Sequence, residues 1–271
     1  MKPAPFDYIR AESLAEVHDV LATEGGDAAV LAGGQSLVPL LSMRMARPKV
    51  LLDIMHVGGL GGIRVEKGAI RVGACVRQAD LLAWSELGAR QPLLAQALPW
   101  IGHWQTRARG TVCGSVALAD PSAELPLILA AVGGEVVLSS RKGRRRVSGT
   151  DFFTGLLSTA RNDDELVESV CFPCARPGQG LAFREFARRH GDFAVVACAA
   201  VATDRNVRLA VGGVADRAVV HDFADASDEA LAAFAAELDA RDDLHATAGY
   251  RRNLVRRLGR ITIDEARRCR A

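Results

Sequence analysis

Thr111-Val112-Cys113-Gly114-Ser115-Val116-Ala117-Leu118-Ala119-Asp120-Pro121 is the stretch on which the reading of this chain turns. Upstream stands a second glycine-centred segment, Ala32-Gly33-Gly34-Gln35-Ser36. Each sets small residues and hydroxyls where the chain leaves an apolar run. Glycine permits close backbone approach and tolerates positive φ. Successive free amides in such a turn make an anion-binding concavity. Two such loops facing each other suit the two phosphates of a dinucleotide. Ser36, Thr111 and Ser115 add short hydroxyl donors that meet phosphate oxygens without a cation. Asp120, held before Pro121, offers a carboxylate to a polyol or ribose. The same residues also suit two unrelated tight turns and an N-cap aspartate. On their chemistry alone both readings stand.

Outside these segments, composition narrows the class. With 271 residues the chain has room for two modest domains or one domain with lobes. Hydrophobic residues make up 49% and aromatics only 5%, which predicts a core of Ala, Val and Leu. A formal net charge of +2 gives no ground for a nucleic-acid partner or an anionic membrane. No apolar run approaches the roughly 20 residues of a membrane span. Met1–Tyr8 lacks the apolar region of a signal peptide. The expectation is a soluble cytoplasmic protein.

Cys75, Cys113, Cys171, Cys174, Cys198 and Cys269 do not suggest a disulfide framework in a chain of this length. Cys171-Phe172-Pro173-Cys174 has C-x-x-C spacing, yet no second pair completes a zinc site and the plant-type ferredoxin spacing is absent. It reads as two reduced thiols at the end of a strand, Glu165–Val170. No metal site is expected in this chain, and no catalytic acid–base dyad. Gly58-Gly59-Leu60-Gly61-Gly62 reads as a flexible joint; Arg64 stands where G-x-G-x-x-G would need its last glycine, and no P-loop occurs.

Periodicity supplies the elements. Ser13 and Glu16 open an amphipathic helix that Gly25-Gly26 ends. Strands follow at Ala28–Leu31 and Val50–Ile54, so the first part reads as a small βα lobe with the glycine loop on its rim. Ile63–Val65 and Ala69–Val72 form one predicted hairpin, Glu135–Ser139 and Arg144–Val147 another. Helices are predicted around Gln78–Trp84, Pro92–Trp100 and from Pro121 to Gly133. Beyond Gly178 three strands in meander order, Leu181–Phe186, Phe193–Ala202 and Val207–Val211, precede two or three helices, Ser227–Leu238, Ala246–Leu258 and Ile263–Arg270. Arg141-Lys142-Gly143-Arg144-Arg145-Arg146 reads as a solvated hairpin tip, His103 as a surface or interface residue, and Trp100 with Trp104 as packing.

The run Ile101-Gly102-His103-Trp104-Gln105-Thr106-Arg107-Ala108-Arg109-Gly110, continued by the opening stretch and by Ser122-Ala123-Glu124-Leu125-Pro126, resembles the second flavin motif of the molybdenum hydroxylases. Ala32–Ser36 resembles their first. Pro5–Tyr8, Asp151–Gly155 and Phe183–Val196 fit the family's order, so the resemblance covers essentially the whole chain. More specifically, it resembles the separate FAD-binding medium subunit of carbon monoxide dehydrogenase and xanthine dehydrogenase-like enzymes. The resemblance implies an α+β fold with a two-lobed FAD-binding domain of the vanillyl-alcohol oxidase-like (PCMH) type. Lobe 1 would span 1–57 and lobe 2 58–176, with a small C-terminal α+β domain over 177–271 built on a three-stranded antiparallel sheet.

By motif, Ala32, Gly33, Gly34, Gln35 and Ser36 with Thr111, Cys113, Gly114 and Ser115 would hold the pyrophosphate of FAD, and Asp120 the ribityl or ribose hydroxyls. Cys113 stands where the family usually has the first glycine of a pair, and Ser115 where relatives often have Asn. A small thiol fits there if φ is negative. Arg188-Arg189-His190, before Asp192, matches a family segment that lies near the flavin. The implied function is that of an FAD-dependent oxidoreductase subunit in a heterotrimer that pairs into a dimer. Molybdopterin would sit on a large partner chain and iron–sulfur clusters on a small one. Electrons would pass from those clusters through FAD to an external acceptor. The alternatives are a self-sufficient FAD oxidase or dehydrogenase and a non-catalytic nucleotide-binding scaffold.

Overall fold

The computed structural model describes residues 2–270. The chain starts with β1 (Asp7–Arg10), α1 (Leu14–Glu24), β2 (Ala28–Leu31), α2 (Leu37–Ser42) and β3 (Val50–Asp53). The strands form a parallel sheet in the order β1-β3-β2. Ser13 caps α1 by accepting from the Glu16 amide at 3.1 Å, and Gly25 at φ 53° ends the helix. The Glu16 carboxylate reaches the Glu12 amide, one residue short of a standard capping box. Val17 and Leu21 form the buried stripe of α1. β1 escapes the sequence reading because four residues carry too little alternation to show. The Tyr8 hydroxyl donates to Asp53 across the sheet at 2.5 Å.

Next come β4 (Ile63–Glu66), β5 (Ala69–Gly73), α3 (Gln78–Ala83), α4 (Leu87–Arg90), α5 (Pro92–Ala97), α6 (Trp104–Arg107), α7 (Val112–Leu118) and α8 (Glu124–Ala131). β6 (Glu135–Ser140), β7 (Gly143–Ser148), α9 (Gly149–Phe152), β8 (Phe153–Gly155), β9 (Ser158–Thr159) and β10 (Leu166–Pro173) complete this part. Five strands pair in the order β4-β5-β10-β6-β7, and both predicted hairpins are present. α8 is buried along its whole length, which explains its unbroken apolar sequence.

Two expectations change here. The strand does not end at Cys171: β10 runs to Pro173, with Cys171 buried opposite Arg71 on β5 and Glu135 on β6. Arg144, Arg145 and Arg146 are exposed as expected but do not sit at the tip. They lie along β7 and pair with Glu168, Glu165 and Glu135 at 2.7, 2.6 and 2.8 Å. Only Arg141 and Lys142 remain at the turn, and their partners Asp19 and Asp164 lie on neighbouring segments.

The C-terminal part holds β11 (Gly180–Phe186), β12 (Val196–Ala202), β13 (Val207–Gly212), β14 (Val219–Phe223), α10 (Asp228–Glu237) and α11 (Ala248–Arg268). The antiparallel sheet therefore has four strands, not three. β14 escaped because it is an edge strand with His221 and Asp222 exposed in its middle. The last two predicted helices are one, α11, broken in prediction by Gly259 and the β-branched run after it. A Cβ at Gly259 would press on Leu209 Cδ2 at 3.2 Å, so the glycine lets the helix lie close on β13. Alternate residues of β11 and β12 serve two cores. Leu181, Phe183, Ala197 and Ala199 join the main core, whereas Ala182, Val196, Cys198 and Ala200 face the core that includes Val255 and Ile263 of α11. The sheet thereby forms one wall against α5 and α8.

Candidate functional site

The two glycine segments, one following β2 and the other opening α7, come together. A Cβ on Gly33 would fall onto the Arg109 carbonyl oxygen and the Gly110 Cα, so only glycine lets the first segment lie against the second. Gly34 has φ 70°, a left-handed conformation that glycine adopts without strain. From there the chain turns into α2 at Ser36, whose hydroxyl caps no amide and so remains available as a donor.

The second segment is the first turn of α7, not an irregular turn. Thr111 is its N-cap: its Oγ1 accepts from the Gly114 amide at 3.1 Å. The approach to it is fixed by Gln78 N donating to Gly110 O (2.8 Å) and Val112 N to Val76 O (3.0 Å). Cys113 is helical with φ outside the positive region, and its buried thiol donates to Val72 O at 3.5 Å. Burial, with Cys75 and Cys171 nearby, pushes that thiol's pKa up. The side chain thus points into the sheet, leaving the backbone at this position open to a ligand.

Between the segments lies a trough-shaped cavity of about 580 Å³. Gly33, Gly34, Gln35, Ser36, Thr111, Cys113, Gly114 and Ser115 all line it. Ala32 does not; it packs on the core. Asp120 does not either. Its Oδ1 accepts from the Ser122 amide at 2.8 Å and so shapes the turn into α8. Glu124, at the first position of α8 and 4% exposed, is one of the carboxylates in the lining, with Glu165 and Asp192. Burial pushes its pKa up to about 7, partly offset by its own backbone amide.

Three further features line the cavity; Gln78 and Arg161 escaped the sequence reading, whereas the neighbourhood of Asp192 was singled out by it. Gln78 is buried with an orphaned Oε1, an acceptor without a protein partner. Arg161 is the only basic side chain in the lining, and its guanidinium is tied to the carbonyls of Asn162 and Glu165 at 2.9 and 2.8 Å. Gly191, Asp192 and Phe193 close one end, and Phe193 is 61% exposed. Of the segment Arg188–Asp192, only Gly191 and Asp192 line the cavity; His190 stacks on Trp100 at 4.9 Å, and Arg188 contacts His245. His103 is exposed. Trp104, expected in packing, is 69% exposed instead.

The donor set fits a dinucleotide. Glycine cradles that a Cβ would fill, free hydroxyls, an orphaned amide oxygen and a buried carboxylate suit phosphates and polyol hydroxyls. Among the described residues no group of three His, Cys, Asp or Glu could hold a metal ion. No helix among them is long and apolar enough to cross a membrane.

Residues 4–175 match the family model described as the FAD-binding domain in molybdopterin dehydrogenase. The alpha subunit of the 6-hydroxypseudooxynicotine dehydrogenase complex of Paenarthrobacter nicotinovorans is 37% identical, covering 98% of this chain and 96% of its own. The carbon monoxide dehydrogenase medium chain of Hydrogenophaga pseudoflava is 35% identical over 81% and 78% of the two chains. A solved chain of quinoline 2-oxidoreductase from Pseudomonas putida 86 superposes with a TM-score of 0.90 at 33% identity over 99% of both chains.

Proposed function

The chain belongs to the family of FAD-binding domains in molybdopterin dehydrogenases, and from that premise we propose that it is the electron-transfer subunit of a heterotrimeric molybdenum hydroxylase. A small partner would carry the iron–sulfur clusters and a large partner the molybdenum centre. Two such trimers would pair, in the cytoplasm. Bound FAD supplies the redox chemistry, and the protein positions it and excludes competing reactions. Gly33–Ser36 and Thr111–Ser115 would hold the pyrophosphate through backbone amides and the Ser36 and Ser115 hydroxyls. Glu124 and Gln78 would accept hydrogen bonds from cofactor hydroxyl or amide groups. The functional division would follow lobes 1–57 and 58–176 with the C-terminal domain 177–271. The observation that carries this reading is the meeting of two glycine motifs, one after a strand and one at a helix start, along one trough.

The relatives' names cite a pseudooxynicotine derivative, carbon monoxide and quinoline. So diverse a set of substrates beside one shared fold fits substrate oxidation on another chain. The test is anaerobic reconstitution with the two partner chains and substrate. The flavin absorbance should bleach only when the iron–sulfur chain is present. Rapid bleaching by substrate with this chain alone would defeat the relay and favour a self-sufficient oxidase.

A further inference from the structure

Behind the cavity, one buried guanidinium joins three segments of chain. Arg251 stands in the first turn of α11 and is 5% exposed. It does not line the cavity. The β12–β13 ladder ends at the pair Ala197 and Gly212. Just past that end, Arg251 Nη1 donates to Val195 O and to Gly213 O, both at 2.6 Å. Its Nη2 donates to the Asp243 carboxylate, whose other oxygen accepts from the amides of His245 and Ala246. Two carbonyl oxygens cannot bond to each other, so a donor between them is what keeps them close. A charged donor does this more strongly than a neutral one. The fit is tight: a Cβ on Gly213, at φ 76°, would meet Val195 O at 2.8 Å and Ala194 O at 2.9 Å.

Both carbonyls belong to chain that runs into the cavity wall. Val195 follows closely on Gly191, Asp192 and Phe193, which line one end. The Val195 amide also donates to Phe186 O at 2.9 Å, so this residue is held at both its N–H and its C=O. On the other side, Gly213 N donates to Pro121 O at 2.8 Å. Pro121 starts the turn that Asp120 braces and that delivers Ala123 and Glu124 to the lining. One side chain therefore ties together the supports of two walls of the same cavity. Removing it leaves carbonyls unpaired at a site that water does not reach freely, so the backbone there must shift to find new partners.

We propose that Arg251 is a positioning residue for the cofactor, setting from outside the cavity the separation between the Gly191–Phe193 end and the Pro121–Glu124 turn. This rests on the FAD reading above. Arg251 lies outside the lining, so its effect on the cofactor is carried by the backbone it holds. Loss of such a support weakens retention roughly tenfold to a hundredfold, the scale on which outlying residues act at metal sites. The planar fork matters as well as the charge. A lysine brings a point charge on a flexible stem and reaches fewer of the three acceptors at once. The coupling is reciprocal. A cofactor that draws the two walls together stiffens the corner from Asp243 to Arg251, although no residue of that corner lines the cavity.

The experiment compares the full chain with Arg251→Met and Arg251→Lys by FAD titration, with the absorption spectrum of the bound flavin and a denaturant titration of each. Arg251→Met should raise the FAD dissociation constant roughly tenfold or more and shift the spectrum of the bound flavin towards that of free FAD. Arg251→Lys should recover part of both. A role in folding alone would lower the denaturation midpoint and leave the affinity and spectrum of the folded chain unchanged. That outcome in Arg251→Met overturns the proposal. Hydrogen exchange of the wild type does not depend on a variant folding. Adding FAD should slow exchange in a peptide spanning residues 243–251 more than in α10, which precedes it in the same C-terminal part. Equal change in the two peptides also overturns the proposal. A wild-type chain that binds no FAD defeats the flavin reading instead.

Discussion

Gly33–Ser36 meets the cavity as an irregular loop with Gly34 at φ 70°, whereas Thr111–Ser115 meets it as a helical turn behind a threonine cap. In the first segment the glycines themselves are required, one for its conformation and one for contact with Arg109 and Gly110. In the second, helix geometry presents the backbone, and a buried thiol can occupy a motif position because it points away. Two similar-looking motifs thus depend on different physics. Substitutions at equivalent-looking positions should have unequal effects.

The largest effect is expected at the contact between the segments. Gly33→Ala puts a methyl group onto backbone atoms that no side-chain rotation can move aside. Overpacking of this kind costs about 1–3 kcal/mol and more where backbone must shift. FAD titration should show loss of binding, and the melting temperature should fall. Near-normal FAD affinity in this variant would mean that the two segments need not touch.

Next is the carboxylate that the second segment leads to. Glu124→Ala should weaken FAD binding by about 1–3 kcal/mol, roughly tenfold to a hundredfold, through loss of a buried hydrogen-bond acceptor. Asp120→Ala should instead lower folding stability by about 1 kcal/mol, because it loses the Ser122 amide, and change FAD affinity little. The reverse ranking of affinities would return the cofactor contact to Asp120.

What could be read in advance follows from the same contrast. A double glycine after a strand stands out in the sequence, and both motifs line one cavity. The α7 helix was invisible because valine, cysteine, glycine and serine are weak helix formers. It exists because Thr111 caps it and Val112 and Val116 are buried. Glu124 looked like an ordinary acid in a first helical turn, which stabilises helices everywhere and marks nothing. Buried Glu185 did leave a signal: it falls in phase with Leu181 and Phe183, placing a charge on the core face of a strand.

A smaller effect should come from the cap. A Cβ on Gly114 would meet Thr111 Oγ1 at 2.7 Å, so Gly114→Ala displaces the hydroxyl that holds the helix start. Losing such a cap costs about 0.5–2 kcal/mol. Thr111→Val should match it in a denaturant titration, and the double variant should cost no more than either single one. Additive losses would show that Gly114 and Thr111 act separately.

The smallest effect is expected at Cys113, where the chain departs from the motif it resembles. If the thiol stands where a glycine is needed for close approach, Cys113→Gly should tighten FAD binding. The geometry argues otherwise. The Sγ faces Val72 O within the sheet, and the helical backbone is unstrained. Cys113→Gly should therefore leave the FAD dissociation constant within about twofold and cost about 1 kcal/mol of stability, as glycine does inside a helix. Cys113→Ala should cost less and leave affinity equally unchanged. Alkylation of the folded protein near pH 8 supplies a second reading of the same side chain. Exposed Cys269 should react, while Cys113 stays protected by burial that also keeps its thiol protonated. A tighter-binding Cys113→Gly, or a native Cys113 that alkylates readily, would place the thiol in the cavity and make the two glycine segments depend on the same physics after all.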